Sequence, residues 1–170
     1  DLASGQLQQE LPLPQAWRAT PGQGLDSNKG PESLTALAPG DLLMAAEAPL
    51  LQHQAEDGIS LMRRAPGNVL RTAGALNVGA AGRHDGLTEL LALPTRQQLL
   101  GLRRGFAPPD QWTARLQLFA LPEHQGPPLQ PIIGWDLLEA GLPPDNWEAM
   151  ALGPVLSDGR QTLSLIHISE

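Results

Sequence analysis

Three glutamates recur in one local setting along this chain. Glu32 lies in Gly30-Pro31-Glu32-Ser33-Leu34-Thr35-Ala36-Leu37, Glu89 in Gly86-Leu87-Thr88-Glu89-Leu90-Leu91-Ala92-Leu93, and Glu148 in Asp145-Asn146-Trp147-Glu148-Ala149-Met150-Ala151-Leu152. They stand 57 and 59 residues apart. Each follows a turn residue and precedes a short apolar run; a turn and a second apolar run then close the unit, at Leu42–Ala46, Leu99–Leu102 and Thr162–Leu165. Carboxylates brought together from equivalent places resist ionising together, so their pKa values rise unless a hard cation neutralises them. Calcium, which takes oxygen ligands, is the cofactor such a ring would recruit. A metal held by Glu32, Glu89 and Glu148 would polarise a phosphoryl oxygen and acidify bound water. The structural alternative gives each glutamate the backbone amides of the next unit and makes it a clasp.

The other polar candidates are each open to two readings. Asp26-Ser27-Asn28-Lys29-Gly30-Pro31-Glu32 alternates oxygen donors like the start of a calcium loop and makes Asp26 a further metal-ligand candidate. The twelfth position, Leu37, is not the glutamate an EF-hand needs, so a turn held by Asp and Asn side chains competes with the metal reading. Arg63-Arg64 and Arg103-Arg104 follow apolar runs, where a guanidinium can grip a phosphate bidentately or pair with a surface acid. Arg103, Arg104, Asn28 and Asn146 are the substrate-binding candidates. His53, His84 and His124 are isolated, and only His84, beside Asp85, lies near a motif. No HExxH pair and no Gly-x-Ser-x-Gly elbow occurs. Trp147 beside Glu148 reads as packing between units.

These residues need short elements to position them. Gly (18) and Pro (17) make up about a fifth of the 170 residues, against roughly 12% in average usage, which rules out long helices and favours strands joined by turns. The apolar runs are four to six residues long, and Ala114 to Phe119 alternates as a half-buried strand does. Leu11–Asp26, Gly105–Asp110 and Leu121–Pro131 read as loops, and Trp135–Ala140 as one helical turn before Gly141. A repeat period in the fifties suits a β-propeller blade. The expectation is therefore an all-β, β-propeller-like fold of antiparallel short strands, incomplete at about three blades, because rings close with four to eight.

A net charge of −7 and a pI near 5.0 argue against a nucleic-acid reader. The absence of cysteine excludes disulfides, a thiol nucleophile and Cys-based zinc sites. No apolar run reaches the length of a membrane span, and the residues do not fix an oligomeric state. Leu163 to Glu170 reads LSLIHISE, which resembles a translated transposase sequencing adapter. The expected division is a partial domain over 1–162 and an adapter-derived tail over 163–170.

The repeated units also resemble the phytase-like domain family labelled "esterase-like activity of phytase". The resemblance runs through Asn28 to Leu34 with Gly40 to Glu47, through Gly86 to Leu90 with Leu99 to Phe106, and through Asp145 to Ala151 with Asp158 to Leu163. The chain departs from the family pattern at Arg103-Arg104, where Glu-Arg is common. The resemblance implies an exported, periplasmic or secreted bacterial propeller whose acidic residues act on small phosphoester substrates. The expected function is a metal-assisted phosphoester hydrolase, with a non-catalytic binding or assembly scaffold as the alternative.

Overall fold

The apolar runs bounded by Gly, Pro and Asp fold as strands and pair with their sequence neighbours. The computed structural model describes residues 3–38, 40–54, 58–65, 67, 69–79, 85–122 and 126–168. Strands β1 (Pro31–Ala38), β2 (Asp41–Ala46), β3 (Gly58–Ala65) and β4 (Val69–Asn77) form an antiparallel sheet in sequence order. Strands β5 (Asp85–Leu93), β6 (Gln98–Ala107), β7 (Gln111–Ala120) and β8 (Ile133–Asp136) form a second sheet in the same order. Strands β9 (Trp147–Val155) and β10 (Gln161–His167) make a two-stranded third. The fold is all-β and consistent with an incomplete propeller, with successive sheets of four, four and two strands. Among the described residues no helix is long and apolar enough to cross a membrane.

The first strand of each sheet lies beside the first strand of the next: β1 packs on β5, and β5 on β9. Threonine hydroxyls tie these inner strands together. Thr35 Oγ1 accepts the Ala92 amide at 2.9 Å, and Thr88 Oγ1 donates to the Trp147 carbonyl at 3.0 Å. Thr88 is 2% exposed, so Thr88→Val would leave that carbonyl without its donor. The expected loss is about 1–2 kcal/mol, read as a lower urea midpoint at unchanged m-value.

Strand alternation also explains how one sheet serves two interfaces. On β6, Leu99 joins Leu43, Ile59, Leu61, Leu76, Leu87 and Phe119 in the apolar cluster between the first two sheets. Its neighbours Leu100 and Leu102 point the other way, into the cluster with Ala114, Leu137, Trp147 and Met150 beneath the third. A separate cluster seats Trp17 against Ala46, Leu50 and Met62, fixing the N-terminal loop on the first sheet. The segment expected as loop over Leu121–Pro131 crosses back to the first sheet, where Leu129 exchanges backbone hydrogen bonds with Ala75 and Asn77.

Two local readings change. The Trp135–Ala140 segment splits: Trp135 pairs with Leu116 in β8, and the turn begins only at Asp136, whose carboxylate accepts the Leu138 and Glu139 amides. Gly105 to Ala107 belong to β6 rather than to a loop, because Gly105 and Phe106 pair with Thr113 and Trp112. In the third sheet, pairing continues as far as His167, while Ile166 and Ile168 remain 56% and 57% exposed.

Candidate active-site cleft

Each inner strand carries a β-bulge near its start. The register slips between Pro31 and Ser33, between Leu87 and Glu89, and between Trp147 and Ala149. The extra residues are Glu32, Thr88 and Glu148. A one-residue offset on a strand exchanges the faces of the sheet. Glu89, one place beyond its bulge, is therefore not the spatial counterpart of the other two glutamates.

Glu89 is turned to the backbone. Its carboxylate accepts the Leu90 amide at 2.8 Å and interacts with the Leu34 amide of the neighbouring inner strand. Burial raises its pKa, and these two amides offset part of the rise. That is the geometry of a clasp between sheets.

Glu32 and Glu148 converge instead at the rim where the inner strands begin. Glu32 borders an open cleft of about 760 Å³ together with Asn28, Lys29, Glu47 and Arg104. Glu148 stands behind Arg104, its Oε1 2.7 Å from Nη2. Lys29 Nζ lies 3.1 Å from Glu47 Oε1. Each cation thus has one carboxylate partner, whereas Glu32 makes no ion pair or hydrogen bond among the described residues. Its pKa is raised by burial first, then by Glu47 and Glu148, with Arg104 and Lys29 pulling it back.

The local fold explains why these groups meet. Pro31 pairs with Ala46, so the residue after β2, Glu47, returns to the level of Gly30, two residues before Glu32. The Glu47 amide donates to the Gly30 carbonyl at 2.9 Å, and its own carbonyl accepts the Leu87 amide at 2.8 Å, joining the starts of β1 and β5. Its buried carboxylate lies against Gly86, where any Cβ would collide with it. Asp26 Oδ1 accepts the Asn28 amide at 3.2 Å and holds the turn that presents Asn28 and Lys29.

The two adjacent arginines separate because they sit on opposite faces of β6. Arg103 turns toward the first sheet, 2% exposed, donating to the Val78 carbonyl at 2.6 Å and pairing with Asp85 at 3.2 Å. Burial lowers its pKa, against the pull of Asp85. Arg104 turns toward the third sheet and the cleft. Asn146, Asp145, Phe106 and Trp112 line the cleft with it.

The structure therefore brings Glu32, Asn28, Asn146 and Arg104 to one cleft, with Glu148 immediately behind. It places Glu89, Arg103 and Asp26 elsewhere: Glu89 on backbone amides, Arg103 on the Val78 carbonyl and Asp85, and Asp26 on the Asn28 amide. His84 and His124 lie outside the described residues. His167 Nδ1 lies 2.8 Å from Asp145 Oδ2. Among the described residues no three His, Asp or Glu side chains gather closely enough to hold a metal ion. At the cleft Glu47 pairs with Lys29 and Glu148 with Arg104.

The sequence pattern does not single out Glu47, Phe106 or Trp112 for this cleft. Pairing the two ends of the first hairpin is the signal for Glu47. The aromatic pair carries none, since strand aromatics are ordinarily core.

A family model described as Phytase-like: Esterase-like activity of phytase matches residues 1–167. No curated protein and no solved structure matches significantly.

Proposed function

We propose that this chain, which belongs to the phytase-like family described by the esterase-like activity of phytase, carries the catalytic cleft of a phosphoester hydrolase. The observation that supports this reading is Glu32, a carboxyl of raised pKa set between two cations and two further carboxylates. A carboxyl whose pKa is raised holds its proton to higher pH than a free one, as a general acid requires. Lys29 and Arg104 supply the fixed positive charge that a phosphoryl group needs.

In this reading, Arg104 and Lys29 hold the non-bridging phosphoryl oxygens. Water attacks phosphorus from the solvent side, and the phosphorus–oxygen bond to the leaving alcohol breaks. Glu32 protonates the departing oxygen. The proton shed by the incoming water returns the carboxyl to its starting state through solvent, to which Glu32 is open. Glu148 keeps the Arg104 guanidinium aimed at the cleft, and Glu47 does the same for the Lys29 ammonium. No step runs through a metal. An exported setting belongs to the same proposal and draws on family membership.

The sign of the pH dependence follows from the raised pKa. Glu32 as the acid is active below its folded pKa, so kcat/KM falls as pH rises through that value. Glu32→Gln is expected to lower kcat by roughly 10²-fold or more and to abolish that alkaline fall. Rates of alcohol release from phosphomonoester and phosphodiester substrates across pH check both effects. An unchanged alkaline limb in the variant sinks the assignment of Glu32.

A non-catalytic scaffold is the second reading. Glu89 favours it, because a carboxylate occupied by backbone amides joins sheets and performs no chemistry. Full retention of folding with no hydrolysis of any phosphoester decides for the scaffold.

A further inference from the structure

The cleft has one wall that hydrolysis does not require. Phe106 and Trp112 face each other across β6 and β7, with ring centroids 4.6 Å apart and planes tilted by 39°. Both border the cleft, and neither belongs to the three buried apolar clusters. The chain has only four Trp, two Phe and no Tyr, so a third of its aromatic side chains stand at this one place. Arg104 precedes Phe106 by two residues on β6 and so shares its face. A guanidinium and an aromatic wall are therefore neighbours by construction of the strand.

The charge of the cleft carries a second constraint. Lys29 and Arg104 are its bordering cations, against the carboxylates of Glu32, Glu47 and Asp145. Each cation already has a carboxylate partner in Glu47 or Glu148. The whole chain carries a net charge of −7. Such a field accepts a single negative charge at the guanidinium and repels a polyanion.

We infer that the cleft recognises phosphodiesters that carry one negative charge and a planar aromatic ester group, and that it excludes polyphosphorylated ligands such as inositol hexakisphosphate. The inference rests on the phosphoester reading above and adds to it the class of substrate. The phosphoryl group sits at Arg104 and Lys29, and the aromatic ester group stacks on Trp112 and Phe106. A wall of this kind is a recognition device, since aromatic stacking adds to simple burial of apolar surface.

The test measures binding apart from turnover. Calorimetric titration of the whole chain with diphenyl phosphate, dimethyl phosphate and inositol hexakisphosphate compares the three ligands directly. Diphenyl phosphate is expected to bind about tenfold more tightly than dimethyl phosphate. In Trp112→Leu that gap closes to roughly twofold or less. Phe106→Leu, on the other strand, gives a second reading if the tryptophan variant does not fold. Inositol hexakisphosphate is expected to bind no better than dimethyl phosphate. Equal affinity for the two diesters overturns the inference, as does a gap that survives both variants or a preference for the hexakisphosphate.

Hydrolysis is then followed with 4-nitrophenyl phenyl phosphate in the unaltered chain and in the two aromatic variants. Aromatic-selective binding without release of nitrophenolate supports the inference and removes the hydrolase reading. Release with kcat/KM unchanged in both Trp112→Leu and Phe106→Leu supports the hydrolase and overturns the inference.

Discussion

Under the proposed function, Arg104→Ala is expected to lower kcat/KM for a phosphodiester by roughly 10²–10³-fold, the cost of removing one preorganised donor from developing charge. The residue is held in place by its surroundings. It extends from β6 toward the third sheet and is braced at 2.7 Å by Glu148. Its removal also leaves Glu148 without its cation, an uncompensated carboxylate near Glu32. The Glu32 pKa then rises further, because Arg104 is the first of the two cations that lower it. The alkaline limb of the pH–rate profile is expected to move to higher pH in the variant, opposite to its loss in Glu32→Gln. Arg104→Lys keeps the charge but not the two-pronged grip and is expected to recover part of the loss. A variant that retains wild-type kcat/KM removes the phosphoryl site from this cleft.

Phe119→Ala is expected to cost about 3–5 kcal/mol, the range for truncating a buried phenylalanine. Phe119 is fully buried in the cluster shared by the first two sheets. Its ring also reaches Gly101, whose missing side chain makes room for it and for Leu87. The surrounding strands are fixed by their own hydrogen bonds and cannot collapse into the space left behind. Urea unfolding followed by circular dichroism gives the loss directly. A cost below about 1 kcal/mol means that the two sheets do not share a packed core.

Much of this fold is legible in the amino acids because its signals are local. The repeated units that close at Leu42–Ala46 and Leu99–Leu102 coincide with β1–β2 and β5–β6, since apolar alternation and Gly or Pro turns act over a few residues. Strand β4 is harder to read. Its Arg71 and Thr72 are exposed and much of its length faces solvent, so it lacks the apolar contrast that marks inner strands. The cleft is less legible still. Glu32 and Glu148 meet as their shared pattern suggests, but Glu89 has the same sequence setting and the opposite face. The difference is the place of the bulge, which a comparison of residue types does not show. Arg103 and Arg104 separate for a simpler reason, alternation along β6, but knowing which of the two faces the cleft requires knowing where the third sheet lies. Glu47, Phe106 and Trp112 reach the site through pairing across hairpins, a non-local relation.

The two-faced character of β6 bears on how the molecule opens. Its odd and even leucines anchor two different clusters, so the second sheet cannot loosen without exposing apolar surface on both sides at once. Stability is then passed between neighbours, as in an array whose units are coupled through shared interfaces. Within such an array the middle unit is the last to exchange its amide protons, and the outlying strands are the first. The starts of β5 and the end of β6 thus form the slowest-opening part of the chain. Arg104, carried by that part, keeps its position while the edges of the flanking sheets fray.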